Sequence, residues 1–370
     1  MTEKIRTLQV PLGDRSYRIH IGENLFSPGG KGLEKLGKQL SGRKVLIVAD
    51  SNTERLFSGT LCRAAAEAGA QKVSVCIFPA GEKSKRFSEV EKICRAAAEN
   101  GLDRSSLILA LGGGVTGDMA GFAASIFMRG IDFVQIPTTL LAMVDSSVGG
   151  KTGADLPEGK NLIGTFHQPK MVLMDVSFLR SLPRSELRCG YAELIKHAVL
   201  FDPKLFRTLL ENAEELLALK CPELLTSLLA RSCRLKASVV ARDERESSLR
   251  ALLNYGHSFG HALEKAADFT RYTHGEAVAI GMCMAADLAQ MLEKTSPETV
   301  SRQEALIRAF GLPTAAEGLS ADCVFQAMRG DKKNIGGITR LILPRRIGKA
   351  EIAEQVPGEQ ILEAVRRHCD

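Results

Sequence analysis

Two rhythms of hydrophobic and polar positions run along the chain, and they change over near Pro183. TLQVPL (7–12) and RSYRIHIG (15–22) alternate on either side of Gly13 and Asp14, and predict a β-hairpin. KVLIVAD (44–50) is a compact β-branched run that reads as a strand, with a helical stretch after it to about Gly69. KVSVCIFPAG (72–81) reads as the next strand, and SKRFSEVEKICRAAAENG (84–101) as a helix ending on Gly101. SSLILALGGG (105–114), FVQIP (133–137) and MVLMD (171–175) are further apolar runs. Strands alternating with helices imply a parallel sheet covered on both faces. Beyond Pro183 the apolar residues recur at helical spacing, in AELIKHAVL, PKLFRTLLENAEELLAL, PELLTSLLARSCRLKASVVARDE and GEAVAIGMCMAADLAQMLEK. Only GITRLILP and KAEI read as strands there. The pattern predicts an α/β N-terminal domain with a Rossmann-like parallel sheet (1–182), followed by a mostly α-helical C-terminal domain (183–370).

Composition narrows the function classes. The 370 residues are 45% hydrophobic and 25% charged, which is ordinary for a globular chain of two domains. No signal peptide and no apolar membrane span is expected. The nine cysteines are scattered without a CxxC pair, which predicts a reduced, cytoplasmic interior. A net charge of +6 with no long basic run and no tryptophan argues against nucleic acid and for a small anionic ligand.

Candidate chemistry concentrates in a few stretches. In NYGHSFGHALE (254–264), His257 and His261 lie four apart, on one helix face. Ser258 stands where a metalloprotease HExxH signature has its glutamate, so the protease base is missing. The two rings either hold a ligand or pack as a hydrogen-bonded pair. LALGGGVTGDMAGFAA (109–124) runs a strand through three glycines into a helix, whose free N–H groups favour a phosphate. It is not GxGxxG, and a tight strand–helix connection is the plainer reading. Asp50 ends a strand where a carboxylate can bind ribose hydroxyls, with Asn52, Glu82 and Lys85 on the same edge and Thr138 and Thr139 after a later strand. The segment 143–169 carries Asp145, Lys151, Lys160 and Asn161, and is too glycine-rich to read as regular structure. Further on, Glu193, Lys196 and His197 share one helical turn. Arg250 and Asn254 precede His257 near one face, His274 sits at a turn, and Lys332 and Lys333 lie on a loop.

In order along the chain, LALGGGVTGDMAGFAA, MRGIDFVQIPTTLLAMVDSSVGGKTG, GKNLIG, CGYAELIKHA, DERE, LRALLNYGHSFGHALE, HGEAVAIGM and DKKN resemble the motifs of the 3-dehydroquinate synthases, within the sugar phosphate cyclase family. The resemblance spans about Val45 to Ile347. It implies a divalent metal, Zn2+ or Co2+, on Glu193, His257 and His274, with His261 facing the substrate. One carboxylate and two neutral imidazoles are also a set that zinc accepts. It implies substrate contacts from Arg129, Asp145, Lys151, Asn161, Lys196, Lys236, Arg250, Asn254, His261 and a lysine of DKKN, Lys332 in preference to Lys333. It implies NAD contacts from Asp50, Asn52, Glu82, Lys85, Gly113, Gly114, Asp118, Thr138, Thr139, Lys160 and Ser181, with Lys151 counted in both sets. Departures are Ser181 and Ser258 where threonine is usual, Tyr255 where leucine is, and Arg242 where a small residue is; none removes a ligand.

The implied reaction converts 3-deoxy-D-arabino-heptulosonate 7-phosphate to 3-dehydroquinate and phosphate, in the shikimate route to aromatic amino acids. It proceeds by transient oxidation by NAD, phosphate elimination, re-reduction, ring opening and aldol closure. The resemblance also implies a homodimer. Two alternatives stand beside it. A metal-dependent NAD polyol dehydrogenase would accumulate NADH, and a 2-deoxy-scyllo-inosose synthase would differ at Arg250, Asn254 and His261.

Overall fold

The apolar runs of the first half become strands β1 (Arg6–Val10), β2 (Tyr17–Gly22), β3 (Lys44–Asp50), β4 (Lys72–Phe78), β5 (Leu107–Gly112) and β6 (Asp132–Pro137). A separate hairpin of β7 (Lys151–Leu156) and β8 (Gly159–Phe166) follows, and then β9 (Met171–Asp175). Residues 5–27, 29–246, 248–329 and 340–369 are described by this structure, a computed structural model. Seven strands make one sheet in the order β1-β2-β9-β6-β5-β3-β4. β1 and β2 pair antiparallel, as the alternation around Gly13–Asp14 predicts, and the remaining neighbours pair parallel.

Burial explains why the central strands carry no alternation of polar residues. β5 is buried at every position. Leu46, Val48, Ile108 and Ala110 pack on one face with Val90, Ile93 and Met119. Val45, Ile47, Leu107 and Leu109 pack on the other with Leu36, Leu40 and Leu61. Both faces are covered, so both sets of alternate side chains must be apolar. The chain steps outward from β3 to β4 and returns to β5 on the far side of β3. The carboxyl ends of β3 and β5 therefore flank the point where strand order reverses, the usual ligand edge of such a sheet.

One expectation is corrected. The stretch 143–169 is not irregular: β7 and β8 form an antiparallel hairpin, with Lys151 opposite Phe166 and Thr152 opposite Thr165. Its glycines read as loop, but glycine in a strand also marks close backbone approach. The hydroxyls of Thr152 and Thr165 lie 3.0 Å apart across the pair.

By contact density the chain forms two units, Met1–Leu182 with Pro222–Ala241, and Pro183–Cys221 with Arg242–Asp370. The helix Pro222–Arg242 is thus grouped mainly with the first unit, whereas its periodicity assigns it to the helical half. The Lys236 ammonium donates to both the backbone and the side chain of Asp145, and Cys233 Sγ lies 3.4 Å from the Met143 carbonyl. Periodicity reports that a segment is helical; it does not report what the helix packs against.

The second unit contains the helices Arg184–Phe201, His257–Ala266, His274–Met291 and Pro297–Ala309, with β10 (Leu341–Arg346) and β11 (Lys349–Ala353) as an antiparallel pair. The helix His274–Met291 is apolar all round and buried continuously from Ala277 to Ala286. The buried Tyr255 hydroxyl donates to Gln303 Oε1 at 2.8 Å and lies 3.1 Å from the Met282 carbonyl. No helix of the described residues is long and apolar enough to cross a membrane.

Candidate active site

In the first unit the expected cofactor residues gather at the carboxyl ends of the strands. Asp50 closes β3 and caps the following turn, its Oδ1 accepting from the Asn52 and Thr53 backbone N–H groups at 2.8 and 3.0 Å. Thr116 Oγ1 donates to the other oxygen at 3.3 Å. Gly113 caps the helix Gly114–Ile126 in an extended conformation, φ −76°, so the triplet does not use the left-handed freedom of glycine. Its size matters instead: an added Cβ would stand 3.1 Å from Thr139 Cγ2. The Thr138 hydroxyl is buried without a hydrogen-bond partner among the described residues, while Thr139 Oγ1 accepts from the Ala142 N–H at 3.1 Å. Ser181 Oγ donates to the Phe178 carbonyl at 2.7 Å.

Lys85 is buried, and its ammonium reaches Asp118 Oδ2 at 2.5 Å and Asn161 Oδ1 at 2.6 Å. Burial works against its charge, but Asp118 and then Glu82 outweigh burial and hold its pKa above the ordinary value. Glu82 and Asn52 are exposed nearby in sequence, at the ends of β4 and β3. The hairpin carries Lys151 and Lys160 exposed, and Asn161 with φ +54°, its N–H donating to Asp155 Oδ1 at 2.7 Å. Arg129 is exposed at the end of a one-turn helix, with φ +72°. A left-handed arginine is uncommon, and such backbone strain clusters at functional positions.

In the second unit, Glu193, Lys196 and His197 share the helix Arg184–Phe201 and are almost completely buried. Lys196 ion-pairs with Glu193 Oε2, while His257 Nε2 lies 3.6 Å from Oε1. Neither Glu193 oxygen accepts a well-formed hydrogen bond. Ligating atoms of Glu193, His257 and His274 all lie within 4.8 Å of one another. A fully buried carboxylate, ion-paired with Lys196 and faced by two imidazoles, has the donor chemistry and spacing to hold a divalent cation. These residues therefore fit the metal that the sequence implies.

Local sequence explains how the histidines meet. Gly256 takes φ +76° just past the short 3-10 helix Leu249–Asn254, so that His257 starts a fresh helix. Arg250 and Asn254 are therefore not on one continuous helical face with His257, as their spacing suggested. The helices His257–Ala266 and His274–Met291 touch backbone to backbone: a Cβ on Gly281 would stand 2.1 Å from the Gly256 carbonyl oxygen. Thr273 and Glu276 form a reciprocal cap that begins the second helix at His274. The rings of His257 and His274 end 5.3 Å apart, with His261 5.5 Å from His257.

Arg250 is buried, its N–H donating to Asp243 Oδ2 at 2.9 Å and its Nη1 to the Glu244 carbonyl at 2.5 Å. Asn254 Nδ2 donates to Glu246 Oε1 at 2.7 Å. Lys332 and Lys333 lie outside the described residues. Within DERE, Asp243 and Glu246 hold Arg250 and Asn254, roles that the motif by itself does not reveal. Glu264 stands two turns beyond His257 on the same helix, but that spacing alone does not show which residue it meets.

Residues 75–189 match the family model of the 3-dehydroquinate synthase N-terminal domain, and residues 190–334 that of the C-terminal domain. A 3-dehydroquinate synthase from Picosynechococcus sp. is 46% identical over 362 residues, 97% of this chain and 98% of that protein. One from Gloeobacter violaceus is 47% identical over 365 residues, 97% and 99% of the two chains. A solved structure of 2-deoxy-scyllo-inosose synthase with carbaglucose-6-phosphate, NAD+ and Co2+ superposes with a TM-score of 0.88 at 26% identity, covering 98% of this chain and 100% of that one. A 2-epi-5-epi-valiolone synthase from Streptomyces hygroscopicus with NAD+ and Zn2+ bound gives 0.86 at 30% identity, covering 95% and 96%. A probable glycerol dehydrogenase from Sinorhizobium meliloti, at 0.61 and 17% identity over 93% and 94% of the chains, shares the fold alone.

Proposed function

The chain belongs to the 3-dehydroquinate synthase family, and from that premise we propose that it is an NAD- and divalent-metal-dependent carbon–oxygen lyase of the shikimate route. It converts 3-deoxy-D-arabino-heptulosonate 7-phosphate to 3-dehydroquinate and inorganic phosphate. The observation that carries this reading is the convergence of Glu193, His257 and His274 in a buried setting, within a chain that matches the family through both of its domains. The relatives' Co2+ and Zn2+ support either ion here.

When bound, NAD supplies a reversible hydride acceptor and the metal a Lewis acid for the hydroxyl that is oxidised. The chain's own residues do the rest. Asp50 and Asn52 hold a ribose, Glu82, Lys85, Asp118, Thr138, Thr139, Lys160 and Ser181 line the cofactor, and Gly113 and Gly114 admit its phosphates at a helix start. Arg250 binds the substrate carboxylate bidentately, and Asn254, Asn161 and Asp145 orient hydroxyls. Lys151 and Arg129 hold the phosphate as it leaves, and Lys196, Lys236 and Lys332 add fixed positive charge around a multiply charged anion. His261 moves the hydroxyl proton, since imidazole titrates near neutrality. The active form is a cytoplasmic homodimer.

The test compares chelated protein with protein recharged with Zn2+ or Co2+, in the presence of NAD and substrate. Recharged protein should release phosphate with no net gain in nicotinamide absorbance, and chelated protein should do neither. Stoichiometric accumulation of NADH would instead assign a dehydrogenase.

A further inference from the structure

His257 Nδ1 lies 3.1 Å from the Tyr255 carbonyl oxygen, so that nitrogen carries the proton and Nε2 keeps its lone pair toward Glu193. His274 has no such carbonyl among its described contacts. Its Nδ1 instead lies 3.5 Å from Glu264 Oε2. Glu264 is itself buried, only 6% exposed, on the helix that also carries His257 and His261. A buried carboxylate gains from a nearby N–H donor, and the His274 ring nitrogen is placed to be one.

We propose that Glu264 is a positioning residue for His274: its carboxylate holds the proton on Nδ1 and turns Nε2 toward Glu193 and His257. This rests on the metal reading given above. The two histidines are then set by different means, one by a backbone carbonyl that no side-chain substitution removes, the other by a single acid. A carboxylate behind the imidazole also makes its free nitrogen a stronger donor. The competing possibility is that Glu264 ligates an ion directly, because His261, Glu264 and His274 also bring ligating atoms within 4.8 Å. In that grouping His274 would be shared with Glu193 and His257 and would bridge two ions through its two nitrogens, which requires the loss of both ring protons.

Co2+ alone is the probe, titrated into the full chain against a competing chelator, with the visible Co2+ spectrum recorded. Glu264→Gln should weaken Co2+ binding about 10- to 100-fold, the usual effect of losing such a partner. It should also shift the ligand-field bands, which a merely structural role would not move. Its NAD affinity and metal-free circular dichroism should match the parent. Glu264→Asp, which keeps the carboxylate one carbon short, should recover part of the affinity. Unchanged Co2+ affinity and spectrum in Glu264→Gln overturns the proposal. Two equivalents of Co2+ on the parent, with one lost in Glu264→Gln, overturns it in favour of direct ligation. His274→Ala is the control for the underlying reading: if it still binds one Co2+ tightly, the metal assignment itself fails and the proposal with it.

Discussion

His274 shows how one ring can carry two opposed linkages. Burial alone lowers its pKa, but Glu264 first and Glu193 after it outweigh burial and raise it above the ordinary 6.5. A raised value means that the metal-free fold binds this proton more tightly than the unfolded chain does. That contribution is complete below 6.5 and is lost as pH rises through the folded-state value. Metal binding needs the ring neutral and runs the other way. Co2+ affinity, followed by chelator competition, should therefore rise between pH 6 and pH 8, and a flat profile would count against His274 as a ligand. Arg250 offers a second check at this scale. Charge-assisted hydrogen bonds are worth about 1.5–3 kcal/mol, so Arg250→Ala should raise the substrate KM roughly 10- to 100-fold while leaving the NAD Kd nearly unchanged. Equal weakening of both would remove its carboxylate role. Both His274 and Arg250 stand out in the sequence as candidates because metal and anion chemistry restricts the side chains that can serve. Glu264 does not, because a residue that would act through a ligand obeys no motif of its own.

Helix packing, rather than helix propensity, sets the spacing of His257 and His274. Gly256 and Gly281 let two helices approach until a Cβ would collide with a carbonyl oxygen. Gly281→Ala is expected to destabilise the fold by about 1–3 kcal/mol, the range for overpacking a tight contact, and to weaken Co2+ binding by displacing His257 from His274. Thermal unfolding and Co2+ titration of the same sample check both effects. An alanine tolerated without loss of either would mean that the contact is compliant. At this scale the strands of the first sheet were readable, because a strand buried on both faces must be apolar throughout. The hairpin Lys151–Phe166 was not readable, because its glycine-rich strands carry little hydrophobic contrast. The break at Gly256 was hidden for a related reason: helical spacing continues across a left-handed residue that ends the helix.

For the whole molecule, metal and cofactor should act as stabilising ligands of the native state. Zn2+ at a hundred times its Kd should add about 2.7 kcal/mol, raising Tm in a concentration-dependent way that a chelator reverses. A Tm indifferent to Zn2+, chelator and re-addition would place the ion outside the folded chain. Several properties of this protein could be read from the order of residues alone: a parallel α/β half, a helical half, and a reactive set of the kinds that bind an anion, a dinucleotide and a divalent ion. Those follow from local rules, since periodicity depends on which faces are buried and ligand chemistry depends on side-chain type. The tertiary structure alone decided that Pro222–Ala241 groups with the sheet, that Lys236 meets Asp145, and that Glu264 stands behind His274. Each of these joins residues far apart in sequence or depends on how one turn redirects a helix, and no local pattern records which distant partner a side chain will meet.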